Sequence, residues 1–511
     1  MTTQTFLDNF GHLADAPNGI AKLRQFVLQL AVTGKLVPQD PKDEPSSQIL
    51  KRIGRNHRSN DNKTKDENGP SLPNGWQRTT LRSIIELQYG KGLTKKERVE
   101  AGGIPVYGSN GVVGFHDRAL ISSPAIVVGR KGSIGAVNIA NTPFWPIDTT
   151  YFIIPEDKLN IIYLSFLLET LELKSLDKAT AIPGLNREDA YNQLVLLPPA
   201  PEQNRIVAKV DELMKLCDEL DEQKRRKTET RAAVSKAALH DLTTVTEPKQ
   251  MAKAWKRIAD HFSIIYDTPE TVKDLRQAIL QLAVTGKLVP QDPKDESAEK
   301  LLERILEDKE SIVRQGRTRK QKSLPPILPK DAPHDLPKGW VRVRLGNILS
   351  VSSGSALTSA NMDKSGKIPV YGGNGVTGQH TEHNVLENTL VIGRVGFYCG
   401  SIHKTHSKAW VTDNALICAF SKEHLDTDFM YWLLKSSDLA RNDASTAQPV
   451  ISGSKIYPIV LAIPPLQEQH RIVSRIVVLS SLCDKLESDV MVALSSADQL
   501  FDAVVHSMTK Q

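Results

Sequence analysis

Cysteine, long apolar runs and an excess of one charge are all scarce in this sequence of 511 residues. Its four cysteines, Cys217, Cys399, Cys418 and Cys483, form no Cys-x-x-Cys pair, which argues against a disulfide scaffold or a zinc finger. No run approaches the roughly 18 apolar residues that a membrane span needs. The start, MTTQTFLDNF, lacks the segments of a signal peptide, so we expect a protein of the reducing cytoplasm. A net charge of only +6 permits nucleic-acid binding through local patches without indicating it.

Known catalytic motifs are absent from the sequence as well. The Gly34-Lys35 and Gly286-Lys287 pairs continue into leucine, so neither belongs to a P-loop, and no His-Glu-x-x-His, Gly-x-Ser-x-Gly or paired His/Cys metal spacing occurs. The Pro-Pro pairs lack the polar and aromatic neighbours of a methyltransferase loop that holds a flipped base. Two runs of glycines spaced by three residues favour tight turns over a dinucleotide fingerprint. They are Gly108, Gly111 and Gly114, and Gly129, Gly132 and Gly135. We therefore expect no catalytic residue and no metal site in this chain.

The sequence contains an internal duplication. The segment LRQFVLQLAVTGKLVPQDPKDE (residues 23–44) returns as LRQAILQLAVTGKLVPQDPKDE (residues 275–296), with 2 of 22 positions changed. Three further pairs follow in the same order: LPNGW and LPKGW, IPVYGSNGVVG and IPVYGGNGVTG, and PPAPEQNRIV and PPLQEQHRIV. The chain therefore consists of two repeats of one design, from about Asp8 to His240 and from about Asp260 to His506.

Each repeat begins with a predicted amphipathic helix and continues with a globular α+β module. Apolar residues from Ile20 to Ala31, and from Val272 to Ala283, follow the helical period, and Gly34 and Gly286 are suited to end these helices. The modules contain short apolar runs between Gly, Asn, Pro and Ser, which predict strands and turns, at 125–128, 151–154, 194–197, 389–392, 415–419 and 459–463. One helix is predicted in each module, at 161–173 and 427–439.

Each repeat ends in a long predicted helix with a coiled-coil seam. In the second repeat the seam alternates spacings of 4 and 3 without a break. Its members are Ile472, Ile476, Leu479, Cys483, Leu486, Val490, Ala493, Ala497, Leu500 and Val504. In the first repeat Ile206, Val210, Leu213, Cys217 and Leu220 share the register, and the seam then turns polar at Lys224, Lys227 and Arg231. We expect Cys217 and Cys483, at equivalent seam positions, to be buried as small apolar residues.

These patterns divide the chain into seven segments. The two linkers are basic, which is typical of a solvated connector, with direct phosphate contact as the alternative. The segments are an N-terminal helical segment (1–45), a basic linker (46–71), a first module (72–200), a central helical spacer (201–300), a second basic linker (301–335), a second module (336–465) and a C-terminal coiled-coil helix (466–511).

The ordered, duplicated motif set resembles the specificity subunit of type I restriction–modification enzymes, over nearly the whole chain. The resemblance implies two target recognition domains, each reading one half of a split, asymmetric double-stranded DNA site, related by a pseudo-two-fold. It also implies that the helical spacers dock two modification subunits that methylate adenine, and that restriction subunits complete the assembly. S-adenosylmethionine, ATP and Mg²⁺ would then belong to those partners and no cofactor to this chain.

Comparison of the two repeats selects candidate DNA contacts. Positions shared by both modules favour structure or phosphate contact over base reading: Asn110 with Asn374, and Arg130 with Arg394. Positions that differ favour base reading. After the shared Gly-x-x-Leu-Thr frame begins, Lys91, Lys95, Lys96 and Arg98 stand against Ser355, Ser359, Ala360 and Met362, and Lys131 stands against Val395. In the second module the candidates are Ser355, Thr358 and Lys364. A solvated surface loop is the alternative for these segments.

Two other functions fit the sequence less well. A self-contained methyltransferase or nuclease–methyltransferase chain would need a cofactor motif or a base-holding motif, and neither occurs. A duplicated coiled-coil scaffold that binds protein rather than DNA fits the mild net charge and the long helices.

The long helix predicts the length of the unread DNA between two half-sites. The 33 residues from Ile472 to Val504 would form a helix ~50 Å long at ~1.5 Å per residue, which spans at most ~15 bp at ~34 Å per turn of ~10 bp. Inserting one turn of helix into the seam should therefore lengthen the non-specific spacer, as read by methylome sequencing. An unchanged spacer would contradict this ruler.

Overall fold

The computed structural model describes residues 3–53, 72–99, 101–176, 184–245, 247–314, 323–328, 335–363, 365–396, 398–437, 439 and 450–509. The chain divides into two compact units, each described by itself below. Unit 1 comprises residues 1–227 and 493–511, and unit 2 comprises residues 228–492. Within the described ranges, no helix is both long and apolar enough to cross a lipid bilayer.

The helices lie within each module and on both sides of it along the chain. They are α1 (Thr3–Asp8), α2 (Phe10–Ala14), α3 (Gly19–Val32), α4 (Ser46–Ile53), α5 (Ile161–Thr170), α6 (Arg187–Tyr191), α7 (Ala200–Thr244), α8 (Pro248–Asp260), α9 (Phe262–Ile265), α10 (Pro269–Val284), α11 (Ala298–Arg314), α12 (Leu345–Ile348), α13 (Thr427–Ser436), α14 (Gly453–Ile456) and α15 (Leu466–Thr509).

The strands belong to the two modules. They are β1 (Gln77–Thr80), β2 (Gln88–Tyr89), β3 (Ile104–Gly108), β4 (Gly111–His116), β5 (Ala125–Gly129), β6 (Val137–Ala140), β7 (Trp145–Pro146), β8 (Thr150–Ile153), β9 (Leu194–Leu197), β10 (Val341–Arg344), β11 (Ser350–Ser353), β12 (Ile368–Gly372), β13 (Gly375–His380), β14 (Leu390–Gly393), β15 (Ile402–Lys404), β16 (Trp410–Val411), β17 (Ala415–Ala419) and β18 (Val460–Ile463). The six apolar runs that predicted strands all coincide with strands to within one residue at each end.

The two modules have the same sheet topology. The first contains sheets of order β1-β9, β2-β8-β5-β6 and β4-β3-β7, and the second contains β10-β18, β11-β17-β14-β15 and β13-β12-β16. Each module has a parallel pair, β3 with β7 and β12 with β16, and a register shift at the same place, between Val106 and Tyr107 or Val370 and Tyr371. The duplication therefore extends from sequence to strand pairing.

The helices that the sequence predicted within the modules pack into the apolar cores. In the first module α5 packs on the central sheet through Leu164, Leu167 and Leu168, and the counterpart helix α13 buries Phe429 and Leu433 in the second module. Gly34 and Gly286 follow α3 and α10 with φ of +73° and +68°, a conformation that glycine adopts without steric strain.

The seam of the long helices is confirmed in part. Cys217 and Cys483 are buried with apolar neighbours as predicted, and burial raises the pKa of both thiols. The prediction is wrong at Ala493, which is exposed, and at Leu500, which is 59% exposed. Phe501, next to Leu500, is 3% exposed. The reason is that α15 contacts two different helices in succession. Cys483 packs in the core of α10 in unit 2, and Phe501 packs in the core of α3 in unit 1.

Helices occupy the start of both segments that were predicted to be linkers. α4 buries Ile49 and α11 buries Leu301 and Ile305 in the adjacent module cores. Their spaced apolar residues are outnumbered by polar and charged ones taken together, which is why composition concealed them. Residues 54–71, 315–322 and 329–334, which contain most of the first predicted linker and part of the second, lie outside the described residues.

A buried glutamine joins each module to its long helix. Gln203 Oε1 accepts a hydrogen bond from Asn160 N at 2.8 Å, and its Nε2 donates to Pro198 O at 3.2 Å. Gln469 makes the same pair with Asp426 N at 2.9 Å and Pro464 O at 3.1 Å. In each module, one glutamine side chain thus connects the residue after the last strand and the start of the long helix to the N-cap of the module's own helix, α5 or α13.

The neighbouring motif residues hold the segment that follows α3 or α10. Arg205 Nη2 lies 2.7 Å from Asp43 Oδ2, and Arg471 Nη2 lies 2.5 Å from Asp295 Oδ2. Beside them a buried glutamate, Glu468, accepts hydrogen bonds from the Gln291 amide and the Trp340 indole, both at 3.1 Å. Burial raises the pKa of that carboxyl. These contacts explain why the QDPKDE and PPxxEQxR sequences recur together.

Replacing the buried glutamine should destabilise its unit. Gln203→Ala leaves the Asn160 N–H and the Pro198 carbonyl without their partner. The free energy of unfolding should therefore fall by about 2–4 kcal/mol. Gln469→Ala should act alike. Denaturant or thermal unfolding of the full chain measures the effect. The control is Glu212→Ala, which removes an exposed ion pair with Lys209 that is worth below ~1 kcal/mol. Equal losses for Gln203→Ala and Glu212→Ala would contradict the role assigned to Gln203.

Candidate nucleic-acid interface

The loop that carries the predicted lysines is held by the same hydrogen bond in both modules. Trp145 Nε1 donates to Lys91 O at 2.8 Å, and Trp410 Nε1 donates to Ser355 O at 3.2 Å. Each tryptophan also meets a histidine edge-on, His116 of β4 or His380 of β13, with ring centroids 5.3 Å apart. The backbone frame is therefore common to the two modules, and the side chains that leave it differ.

Lys91, Lys95 and Lys96 are exposed in the first module. Lys95 and Lys96 lie on a short 3₁₀ turn that is closed by a capping box between Thr94 and Glu97. The hydrogen bonds from Thr94 hold the pKa of Glu97 below its usual value, so this acid stays ionised and orders the turn. In the second module Ser355 and Thr358 are exposed at matching places, and Lys364 lies outside the described residues.

Arg98 has a structural contact inside the module. Its Nη1 donates to Val113 O at 2.9 Å, which ties the loop to strand β4. Met362 occupies the matching place in the second module and also packs against the hairpin, since a Cβ at Gly378 would lie only 2.6 Å from its Sδ. Arg98 and Met362 therefore pack at the same place against their hairpins, although only Arg98 is charged. This places Arg98 among the scaffold residues rather than the freely exposed cations.

The two shared asparagines lie at hairpin tips. Asn110 is exposed between β3 and β4, and Asn374 is exposed between β12 and β13. A glycine with positive φ follows each, Gly111 at +104° and Gly375 at +82°. The tight-turn interpretation of the glycine runs is confirmed here and at Gly132 and Gly135, whose φ values are +79° and +75°.

The two shared arginines have the same partner. Arg130 Nη1 donates to Asp148 O at 3.0 Å, and Arg394 Nη1 donates to Asp413 O at 3.1 Å. Both side chains therefore link the end of a buried strand, β5 or β14, to the turn before β8 or β17. This shared structural contact explains why the residue is arginine in both modules. Lys131, the residue after Arg130, is exposed.

Sequence reasoning missed a row of arginine and tyrosine side chains on the first module. The Arg130 guanidinium lies 5.0 Å from the centre of the Tyr89 ring and the Arg187 guanidinium lies 5.4 Å from it. Arg187 and Arg82 lie 6.0 and 4.6 Å from the ring of Tyr191. We call these five residues the arginine–tyrosine row. Tyr89 is 51% exposed, and Arg82 forms an ion pair with Glu188.

The row is specific to the first module. Tyr191 has a counterpart in Tyr457, and each accepts a backbone hydrogen bond through its hydroxyl, from Leu87 N at 2.8 Å and Val351 N at 3.0 Å. By contrast, Ser353, Gly346 and Gly453 stand where the first module has Tyr89, Arg82 and Arg187. Comparing the repeats beyond the lysine loop would have revealed this difference from sequence.

Across the residues whose placement is described, no group of three or more His, Cys, Asp or Glu side chains is arranged to hold a metal ion. Cys418 is buried and Cys399 is half-buried, and Cys399 Sγ donates to Arg394 O at 3.2 Å.

Two modules of one topology, each followed by a long helix and each exposing different side chains from a common loop frame, define a two-module recognition protein. Residues 73–230 and 337–493 match the family described as the type I restriction modification DNA specificity domain. The chain belongs to the family of type I restriction–modification specificity subunits, and its two modules are target recognition domains.

Similar proteins agree with this assignment. The specificity subunit of the type I restriction enzyme EcoAI from Escherichia coli is 30% identical, over 96% of this chain and 94% of its own length. That of EcoEI, also from Escherichia coli, is 28% identical with the same coverage. A solved chain from a study of complex assembly and conformational transition of the type I R-M system has a TM-score of 0.52 at 15% identity, over 86% of this chain and 99% of that one. The predicted family, α+β fold and duplication are confirmed.

Proposed function

We propose that this chain is the DNA-reading subunit of a type I restriction–modification complex, in which each target recognition domain reads one half of a bipartite, asymmetric site. The observation that supports it best is the contrast within the duplication. Strand order, loop anchors and hairpins are the same in both modules, whereas the exposed side chains on the loops differ. Backbone contacts position a protein on DNA and base contacts specify the sequence, so a shared frame with different side chains suits two unlike half-sites.

The proposed partners are two modification subunits that methylate adenine, with restriction subunits in the complete enzyme. S-adenosylmethionine, ATP and Mg²⁺ would reside on those subunits, in the cytoplasm, and this chain would contribute no catalytic group. A surface of α15 supports docking of a protein partner. Its exposed apolar residues are Val477, Val478, Leu482, Met491 and Val492. Such a concentration of exposed apolar side chains is typical of an interaction site.

Methylome sequencing of a host with and without this gene tests the function. We expect adenine methylation in one bipartite motif to disappear with the gene, provided that the modification gene stays intact. Persistence of every methylated motif, or tight binding of S-adenosylmethionine by the isolated chain, would contradict a role in recognition alone.

We further propose that the arginine–tyrosine row contacts DNA together with the exposed lysines. Tyr89 directly precedes Gly90, at the start of the lysine loop, and Arg130 directly precedes the exposed Lys131, so the row adjoins the predicted cations along the chain. Three arginines are held beside two tyrosine rings, and Glu188 offsets only one of their charges. Guanidinium groups ordered by stacking are well suited to phosphates and guanine edges.

Replacing Tyr89 tests this surface. Tyr89→Ser, which introduces the residue of the second module, removes the ring between Arg130 and Arg187. We expect DNA binding by the complex to weaken about threefold to tenfold, the equivalent of roughly 1 kcal/mol. Tyr89→Phe keeps the ring and should bind like the parent. Fluorescence titration with the methylome-defined site gives the affinity. Equal affinities of the Ser and Phe variants would remove the row from the interface.

Lys96 and Arg98 should behave differently, although they are neighbours. Lys96→Ala removes an exposed cation, so the slope of log affinity against log salt should fall by ~0.9, one phosphate contact. Arg98→Ala removes the bond to Val113 O and should instead speed hydrogen exchange at Val99, whose amide donates to Phe115 O. Lys209→Ala, on α7, is the control for loss of charge. An unchanged slope for Lys96→Ala would exclude that lysine from the DNA contacts.

A further inference from the structure

Each unit contains a helix junction of the same design. In unit 1, α3 packs on the last part of α15, residues 493–509, and we call this junction 1. In unit 2, α10 packs on the last part of α7, residues 228–244, and we call this junction 2. In both junctions a lysine donates a hydrogen bond to a carbonyl near the end of the long helix. Lys35 Nζ donates to Met508 O of α15 at 2.8 Å, and Lys287 Nζ donates to Thr243 O of α7 at 2.5 Å.

The short helix is positive in junction 1 and the long helix is negative. Lys22 Nζ lies 2.7 Å from Asp498 Oδ1 and 3.1 Å from Asp502 Oδ1. The hydrogen bond that Lys22 donates to Asp498 raises the pKa of Lys22, so the cation is favoured. The same ammonium lies 5.2 Å from the centre of the Phe501 ring, which places the ion pairs against the apolar contact of the two helices.

Junction 2 has the opposite polarity at the matching positions. The offset of 252 residues between α3 and α10 places Asp274 where junction 1 has Lys22. The offset of 266 residues between α7 and α15 places Lys236 where junction 1 has Asp502, and Ala232 where it has Asp498. Lys236 and Asp274 line one open groove of about 600 Å³ between the two helices.

The junctions also differ in the size of their buried side chains. Phe26, Phe501 and Val504 are buried in junction 1. At the matching positions of junction 2 the buried residues are Ala278, Ser235 and Ala238. At these three positions the first contact has large apolar side chains and the second has small ones, so the two pairs of surfaces are not interchangeable.

We propose that reversed charge and different packing make each short helix accept only the long-helix end that it meets here, and reject the matching end of the other repeat. In an exchanged pair, Lys22 of α3 would face Lys236 of α7. Asp274 of α10 would face Asp498 and Asp502 of α15. The assembly excluded in this way is one in which a second copy of this chain pairs like repeats with like. Selection works by repulsion in the wrong pair as well as attraction in the right one.

The consequence for DNA rests on the proposed function, whereas the pairing rule does not. A complex built from two like repeats would present the same target recognition domain twice and would suit a symmetric site. Selective junctions keep one domain of each kind in every complex and so preserve an asymmetric site.

The test converts junction 1 to the polarity of junction 2 in the full chain. Lys22→Asp alone places three carboxylates together, and we expect the melting temperature to fall by about 2–4 °C. The triple variant Lys22→Asp, Asp498→Ala, Asp502→Lys has a complementary pair again and should recover most of that fall. Lys209→Asp, on α7 away from the junctions, controls for the change of charge.

The triple variant also removes the difference in polarity between the junctions, so pairing of like repeats should become possible. After refolding from denaturant over a range of concentrations, sedimentation velocity should show a larger dimer fraction for this variant than for the parent. Failure of the triple variant to recover the melting temperature would overturn the charge pairing. Recovery without any increase in dimer would overturn the selection. Neither measurement involves DNA, so both outcomes are independent of the proposed function.

Discussion

The rest of each repeat depends on the buried hydrogen bonds at the start of its long helix. Gln203 and Gln469 each connect a proline carbonyl before the helix to the capped first turn of the module's own helix. Because these side chains are fully buried, their amides need both partners, and only one direction of helix entry supplies them. A module and its helix are therefore joined by satisfied buried polar groups rather than by a loose loop. The recurrence of the PPxxEQxR sequence follows from this geometry.

A second set of hydrogen bonds holds the same loop backbone in both modules, whereas the side chains that extend from those loops differ. The indole bonds of Trp145 and Trp410, and the arginine bonds to Asp148 and Asp413 carbonyls, all end on backbone oxygen. Contacts to backbone do not depend on the neighbouring side chains, so those side chains can change while the loop keeps its place. This is why Lys91, Lys95 and Lys96 in one module and Ser355, Ser359 and Ala360 in the other extend from equivalent positions.

Much of this fold could be predicted from the sequence because its patterns are local. Strands such as β5 and helices such as α3 follow from apolar periodicity over a few residues. Contacts between distant segments could not be predicted. The change of face from Leu500 to Phe501 depends on which helix α15 meets there. The arginine–tyrosine row joins residues about 100 positions apart, and Arg98 looks like its exposed lysine neighbours until Val113 O is placed beside it.

Duplication creates a physical difficulty that divergence must solve in two places. If two recognition domains are to read different DNA, their exposed side chains must differ, but this difference is useful only when unlike domains are assembled together. Identical helix junctions would let either repeat pair with a copy of itself, since nothing in the contact would distinguish them. The ammonium of Lys22 and the carboxylate of Asp274, at one position of the shared design, supply the distinction. The difference between the two recognition surfaces and the difference between the two junctions are therefore linked. Unlike recognition surfaces read an asymmetric site only if the junctions bring unlike domains together.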